Sequence, residues 1–310
     1  MRILFMGTPL FAVRTLDEIN KSHHEIVGVV TATDKPAGRG NKIKESAVKT
    51  YSISHNLPLI QPVNLKDDHF ISQLKKINPE LIIVVAFRML PKKIWELPKY
   101  GTLNLHASLL PDYRGAAPIN WAIINGEKET GITTFFIDEK IDTGAIILRE
   151  KISISDGTTA GQLHNSLMEK GADLVMNTID RIFSKNFKIQ KQIHSENLHH
   201  APKLNRENTQ INWDENDNRI RQLILGLNPF PGAWTTLIHQ QKTINFKIFN
   251  AELSQKKLKP KEFSIIDNKL FVGTKSQALE LSEVQIEGKK RMLTKDFLKG
   301  NPYIEMCSIL

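Results

Sequence analysis

The chain has 310 residues, of which 40% are hydrophobic and 24% are charged, a composition typical of globular proteins. Its single cysteine, Cys307, excludes a disulfide framework within the chain and a zinc site built from cysteines. The net charge of +9 is compatible with solubility alone and also with a polyanionic partner such as nucleic acid. The sequence has no apolar run of about 18 residues and no signal peptide, so we expect a cytoplasmic protein without a membrane span.

The first half of the chain alternates short apolar runs with amphipathic stretches. The apolar runs predict strands at residues 3–6, 26–30, 81–85 and 102–105. The amphipathic stretches predict helices at residues 10–19, 45–55 and 67–77. Strands that are apolar on both faces and alternate with helices are typical of a doubly wound α/β domain with a mostly parallel sheet. In such a domain the ligand binds beyond the carboxyl ends of the strands.

The pattern changes along the second half of the chain. Two further strands are predicted at residues 132–137 and 145–154, followed by a long helix at 158–183. Short alternating runs after residue 230, separated by polar turns, predict a small OB-like β-barrel or sandwich. We therefore predict three parts of the chain: a domain at residues 1–189, a linker at 190–207 and a second domain at 208–310.

Polar side chains stand at the end of the fourth predicted strand. Asn104 and His106 are two residues apart, so they point to the same side of the sheet. The Asn104 amide can donate a hydrogen bond to the oxyanion that forms when an amine attacks a carbonyl group. His106 can move the proton, as histidine side chains commonly do in catalysis, and Asp142, in a turn between two strands, can orient the imidazole. Taken alone, an Asn-x-His pair at a strand end more often has a structural role than a catalytic one, and an Asp-x-Gly turn is common.

Residues 104–115 read NLHASLLPDYRG, and Asp142 stands in an Asp-Thr-Gly turn. In identity, order and spacing these residues resemble the signature of the folate-dependent formyltransferases. The resemblance implies that Asn104, His106 and Asp142 are catalytic and that 10-formyltetrahydrofolate is the formyl donor. It implies that two segments lie along the folate: Phe87, Arg88, Met89 and Leu90 at the pterin, and Ser108, Leu109, Leu110 and Pro111 beside them.

Several segments resemble the branch of this family that formylates a charged initiator tRNA: residues 5–12, 34–40, 228–235 and 289–292. The second of these begins a basic, glycine-rich loop that is able to order on RNA phosphates. The resemblance implies that tRNA is bound by Lys35, Arg39, Lys42, Lys44, Lys289, Lys290 and Arg291. We therefore expect a monomeric enzyme that formylates the amino group of a charged initiator tRNA and supports translation initiation.

Three alternatives stay open at the level of the sequence. Within the same chemistry, the acceptor can be a small amine on a sugar or ribonucleotide, or water, which would make the protein a formyl-folate hydrolase. A nucleotide-binding or dehydrogenase-type domain fused to an RNA-binding barrel is disfavoured, because the first strand is followed by Gly7 and by no Gly-x-Gly-x-x-Gly motif. We expect no metal, since the pairs His23-His24 and His199-His200 have no third ligand at a suitable spacing.

Overall fold

The structure is a computed structural model that describes residues 1–37, 42–193 and 197–310. The chain divides into two compact units. The first unit comprises Met1–Gly115, Glu129–Ser153 and His164–His200, and the second comprises Ala116–Lys128, Ile154–Leu163 and Ala201–Leu310. Each unit has its own sheet and its own hydrophobic core. No helix among the described residues is long and apolar enough to cross a bilayer.

The elements follow one another in this order along the chain. The strands are β1 (Arg2–Gly7), β2 (Glu25–Val30), β3 (Lys35–Ala37), β4 (Lys42–Lys44), β5 (Leu59–Ile60), β6 (Leu81–Val85), β7 (Thr102–His106), β8 (Arg114–Gly115), β9 (Glu129–Phe136), β10 (Ile146–Ser153), β11 (His200–Ala201), β12 (Ala233–His239), β13 (Lys242–Leu253), β14 (Phe263–Ile266), β15 (Lys269–Gly273), β16 (Ala278–Ile286), β17 (Met292–Leu293) and β18 (Ser308–Ile309). The α-helices are α1 (Leu10–Lys21), α2 (Ala47–Ser54), α3 (Asp68–Ile77), α4 (Lys92–Trp95), α5 (Pro118–Ile124), α6 (Ala160–Phe183), α7 (Asp217–Gly226) and α8 (Thr294–Gly300). Two short 3₁₀ helices cover Glu207–Thr209 and Pro302–Met306.

The sheet of the first unit has the strand order β10-β9-β7-β6-β1-β2-β5. The strands from β7 to β5 are parallel, whereas β9 runs antiparallel to both of its neighbours. From β1 the chain first adds strands on one side and then returns to add β6 and β7 on the other side. This confirms the predicted doubly wound, mostly parallel α/β fold, in which the order reverses beside β1 and the strand ends form a ligand-binding edge.

Burial explains why the predicted apolar runs form this sheet. Every residue of β6 is buried, and its β-branched side chains suit a pleated strand covered on both faces. Ile82 and Val84 pack with Phe70 and Leu74 of α3 in one core cluster. Each such side chain contributes about 1.5–3 kcal/mol when it leaves water. Helix α3 begins where the Asp67 carboxylate accepts a hydrogen bond from the His69 amide at 3.3 Å.

The second unit is built on an antiparallel sheet with the order β14-β15-β16-β13-β12-β18, and β17 pairs with β16. Helix α7 begins after Asn216, whose side chain accepts a hydrogen bond from the Arg219 amide at 2.8 Å. Trp213 is buried in the core of this unit, and its indole NH donates to the Thr235 hydroxyl at 3.0 Å. The small β domain predicted for the second half of the chain is therefore confirmed as a curled antiparallel sheet.

Candidate active site

Strand β7 carries Asn104 and His106 to the edge of the sheet where the parallel strands end. In β7, Asn104 lies between Val84 of β6 and Phe135 of β9. The Asn104 side chain is half-buried, and its amide forms no hydrogen bond with another described residue. An uncommitted amide at a ligand-binding edge is available to donate to a bound group.

The imidazole of His106 is hydrogen-bonded to a main-chain carbonyl at one nitrogen and faces a carboxylate at the other. Its Nε2 lies 2.9 Å from the carbonyl oxygen of Tyr113, and its Nδ1 lies 3.7 Å from Oδ2 of Asp142. Because a carbonyl oxygen only accepts, the hydrogen at Nε2 belongs to the ring, which leaves a lone pair on Nδ1. A proton taken up at Nδ1 therefore gives an imidazolium that faces the carboxylate.

The Asp142 carboxylate is itself fixed by the backbone. Its Oδ2 accepts a hydrogen bond from the Gly115 amide at 3.0 Å, and only 13% of the side chain is exposed. The Asp142 carbonyl accepts from Arg114 Nε at 3.0 Å and from Gln192 Nε2 at 2.9 Å. Two residues on, Gly144 leaves no room for a Cβ, which would lie 1.6 Å from the Phe136 carbonyl oxygen. The turn between β9 and β10 is thus held on several sides. No local motif points to Gln192, because it lies 50 residues after Asp142 in the chain.

The predicted pterin loop follows β6 directly. The Arg88 guanidinium donates to the carbonyls of Pro62 and Val63 at 2.9 and 3.2 Å and lies 5.4 Å from the centre of the Phe87 ring. Met89 is 71% exposed, whereas Leu90 belongs to the core of the first unit. Arg88 therefore ties the loop to a neighbouring segment, and Phe87 and Met89 provide its accessible apolar surface.

Part of the second predicted folate segment is buried in the protein interior. The buried Ser108 hydroxyl donates to the Asp112 carbonyl at 2.6 Å, and the Leu110 side chain is fully buried. The peptide bond between Leu110 and Pro111 is cis. Leu109 and Pro111 are half-buried, so they are the members of this segment that a ligand can reach.

The predicted basic loop contains a short hairpin of β3 and β4. Lys35 and Lys44 are direct cross-strand neighbours and both are exposed. Like charges at such positions repel each other, and a phosphate between them would remove that cost. Arg39 and the side chain of Lys42 lie outside the described residues. Lys49, which follows this loop, forms an ion pair with Asp34. Its ammonium holds the pKa of the Asp34 carboxyl below its usual range.

The predicted basic run of the second unit has two different kinds of side chain. Lys289 and Lys290 are exposed, and within the described residues neither forms an ion pair. Arg291 pairs with the Glu283 carboxylate and stacks over the Phe249 ring at 4.2 Å. Lys289 and Lys290 are thus free to meet a phosphate, whereas Arg291 is bound within its own unit.

A groove of about 800 Å³ lies wholly within the second unit and was missed by the sequence interpretation. The Arg206 guanidinium stacks over the Trp234 ring at 4.3 Å, and the Trp234 indole NH donates to the Arg206 carbonyl at 3.1 Å. Lys203 and Lys247 also line the groove, and Phe230 on its rim is 80% exposed. The cationic side chains and the exposed Phe230 ring suit single-stranded nucleic acid, whose phosphates and bases such groups contact, whereas the Trp234 ring is buried beneath Arg206.

Two family models cover most of the chain. The formyl transferase model matches residues 1–179, and the model of the formyl transferase C-terminal domain matches residues 203–302. The chain belongs to the formyl transferase family. Among the relatives of this formyl transferase is a methionyl-tRNA formyltransferase of Flavobacterium johnsoniae, 50% identical over 100% of this chain and 99% of the relative. A methionyl-tRNA formyltransferase of Bacteroides fragilis is 44% identical over 97% of this chain and 95% of the relative.

Solved structures share the fold of this formyl transferase at lower identity. A sugar 3N-formyl transferase, WlaRD, crystallised with dTDP and 5-N-formyl-THF, matches with a TM-score of 0.67 and 21% identity, over 94% of this chain and 99% of that chain. HypX from Aquifex aeolicus in complex with tetrahydrofolic acid matches with a TM-score of 0.66 and 21% identity, over 98% of this chain and 47% of that chain. At this identity the likeness concerns the fold alone.

Proposed function

We propose that the chain is a cytoplasmic, monomeric enzyme that transfers the formyl group of 10-formyltetrahydrofolate to the amino group of methionyl-tRNA for translation initiation. The observation that carries the proposal is the distance of 3.7 Å between Asp142 Oδ2 and His106 Nδ1. His106 lies at the end of β7, the strand that also bears Asn104. Family membership supports formyl transfer. The methionyl-tRNA formyltransferases that match over their whole length support the acceptor.

Asn104 stabilises the charge that develops during the transfer. When the amine attacks, a bond forms between its nitrogen and the formyl carbon, and negative charge builds up on the formyl oxygen. Because the Asn104 amide forms no hydrogen bond with another described residue, it can meet this oxygen without first breaking one. The bond between the formyl carbon and the folate nitrogen then breaks, and one proton passes from the amine to that nitrogen.

His106 carries this proton between the two nitrogens. The Tyr113 carbonyl holds the ring at Nε2, so the lone pair on Nδ1 is the group that accepts the proton from the amine. The Asp142 carboxylate then stabilises the imidazolium, and the Gly115 amide keeps that carboxylate in position. Such orientation matters because proton transfer needs heavy atoms within hydrogen-bond reach.

Residues after β6 and β7 fit a folate. A folate supplies the activated formyl group and presents a flat ring with polar edges, which requires an apolar surface beside free main-chain groups. We assign that surface to Phe87 and Met89, with Leu109 and Pro111 on the second segment. Four further residues of the two segments, Arg88, Leu90, Ser108 and Leu110, hold these segments in shape through the contacts described above.

The tRNA is recognised largely through charge. In the first unit we assign phosphate contacts to Lys35 and Lys44, together with Arg39 and Lys42 of the same segment. In the second unit we assign phosphate contacts to Lys289 and Lys290. The neighbouring Arg291 holds the end of this basic run in place through its pairing with Glu283. The exposed Phe230 ring on the rim of the Arg206 groove adds a stacking surface for an unpaired base.

One assay separates this proposal from its alternatives. The purified chain is given a folate with a labelled formyl group and initiator tRNA charged with methionine, with and without an excess of an amino sugar, and also without any acceptor. We expect the label on the methionyl-tRNA in both acceptor reactions. Preferential labelling of the sugar would make the enzyme a sugar formyltransferase, and free labelled formate without an acceptor would make it a hydrolase.

A further inference from the structure

A second group of ligand-type side chains lies in the first unit, away from the end of β7. His23 and His24 form the connection between α1 and β2, and Asp180 belongs to α6. One ligand atom from each of the three residues lies within 4.8 Å of the other two. Because His24 directly precedes β2, the group stands at the amino ends of the parallel strands, the edge opposite to the proposed catalytic residues.

The His24 imidazole has an unpaired nitrogen in a buried position. Its side chain is fully buried, and Nε2 has no hydrogen-bond partner in the described part of the chain. The nearest carboxylate oxygen, Oδ1 of Asp180, is 3.7 Å from Nε2, too far for a hydrogen bond. Buried polar atoms are nearly always paired, so a buried ring nitrogen that faces a carboxylate is a candidate ligand for a cation.

The distances suit a metal ion of the zinc class. Bonds of about 2.0–2.2 Å in a tetrahedral site separate the ligand atoms by about 3.3–3.6 Å. The distance between His24 Nε2 and Asp180 Oδ1 already lies close to this range. His23 is exposed, the centroids of the His23 and His24 rings are 4.0 Å apart, and a ring nitrogen of His23 lies within 4.8 Å of the ligand atoms of His24 and Asp180.

We propose that His23, His24 and Asp180 bind one divalent transition-metal ion, with water in the fourth position. Two imidazoles and one carboxylate are ligands that zinc, cobalt and nickel accept, whereas calcium and magnesium prefer oxygen ligands alone. The ion would tie the connection before β2 to α6 and so stabilise the first unit. The expectation of no metal rested on the spacing of ligands close to the histidine pairs in the sequence, and Asp180 lies far from His23 and His24 along the chain.

The other nitrogen of His24 is turned away from the proposed ion. Nδ1 lies 3.3 Å from the Met1 amino nitrogen, so Nε2 is the ring nitrogen that faces Asp180.

Zinc binding to the full chain tests the proposal. The chain is prepared without a polyhistidine tag, stripped with a chelator and titrated with Zn²⁺ against a chromogenic competitor. Two variants, His23→Gln and Asp180→Asn, change exposed ligands and leave the core intact, and His69→Gln removes an exposed imidazole elsewhere in the first unit. We expect one Zn²⁺ per chain, an affinity that falls by about tenfold or more in both ligand variants, and no change in His69→Gln.

Two further readouts distinguish a built site from scattered surface binding. Co²⁺ should give the visible absorption of a tetrahedral complex in the parent chain and lose it in Asp180→Asn. Zn²⁺ should raise the thermal midpoint of the parent chain and leave that of Asp180→Asn unchanged. Equal zinc affinity in the parent, Asp180→Asn and His69→Gln chains, or no stoichiometric binding, would overturn the proposal. None of these readouts depends on formyl transfer.

Discussion

The end of β7 in the first unit and the basic groove of the second unit differ in how tightly their polar groups are held. At β7 the His106 side chain is 7% exposed, with one ring nitrogen on a carbonyl and the other facing a carboxylate. In the groove, Phe230 is 80% exposed and Arg206 lies at the surface. Proton transfer tolerates little displacement, whereas attraction between charges extends over several ångströms. Substitutions in the first region should therefore lower turnover, and substitutions in the second should weaken binding.

The largest effect is expected at His106. His106→Gln removes the group that accepts the proton, so kcat should fall by about 10²–10⁴-fold. Formyl transfer to methionyl-tRNA is measured across pH 5–9, with His69→Gln as the matched control on the surface. A variant that retains most of its turnover would show that the proton moves by another route, and the contrast between the two regions would be lost.

Asn104→Ala should have the next largest effect. Loss of one donor to a developing oxyanion typically lowers kcat by about 10²–10³-fold. Folate binding, measured by quenching of protein fluorescence, should change little, because the amide is needed only when charge develops. Asn186→Ala, which changes an exposed asparagine, serves as the control. Equal losses of folate binding and turnover would instead assign Asn104 to substrate positioning.

A smaller effect on a different quantity is expected in the second unit. The logarithm of tRNA affinity falls linearly with the logarithm of salt concentration. Lys289→Gln combined with Lys290→Gln should make this slope shallower by about two units, one for each lysine, and leave kcat unchanged at saturating tRNA. The pair Lys75→Gln and Lys76→Gln on α3 makes the same change in net charge and is the matched control. If both pairs lower the slope equally, net charge and not this surface attracts the tRNA.

The smallest effect concerns stability alone. The buried Arg221 guanidinium forms two hydrogen bonds with Asp156, at 2.9 and 3.2 Å, and holds the pKa of that carboxyl below its usual range. A lowered carboxyl pKa stabilises the fold above about pH 4 and loses this contribution as the pH falls below it. Asp156→Asn should therefore cost about 1 kcal/mol at pH 7, an amount kept small because Asp156 is largely exposed.

Chemical denaturation of the parent chain and Asp156→Asn at pH 7 and at pH 3 measures this contribution. The difference in unfolding free energy should shrink at pH 3, and kcat and KM at pH 7 should match those of the parent. A change in turnover would mean that this contact of the second unit also serves the chemistry.

Much of the first unit could be predicted because its signals are local. Continuous apolar runs gave the strands, and the predicted helix at 45–55 is observed from Ala47 because Ser46 caps it by accepting from the Lys49 amide. The hairpin of β3 and β4 was missed, since three-residue strands leave no periodic pattern.

The candidate site shows where sequence reasoning stops. Asn104 and His106 are two residues apart, so their common orientation follows from strand geometry. The distance between His106 and Asp142 depends on the turn after β9, which Arg114 and Gln192 hold from distant parts of the chain. The Arg206 groove and the group around His24 arise in the same way, from residues that only the folded chain brings together.

The second unit takes two short segments from the middle of the chain, and this limits how the protein can be divided. Ile124 of α5 lies in the core of that unit, and its carbonyl accepts from Arg219 Nη1 at 2.7 Å. A fragment cut at residue 201 would lack this helix and expose the apolar surface that α5 covers. Transplanting the second unit into another enzyme would thus require grafting residues 116–128 and 154–163 along with it. During synthesis, these two segments leave the ribosome before the part of the chain with which they pack.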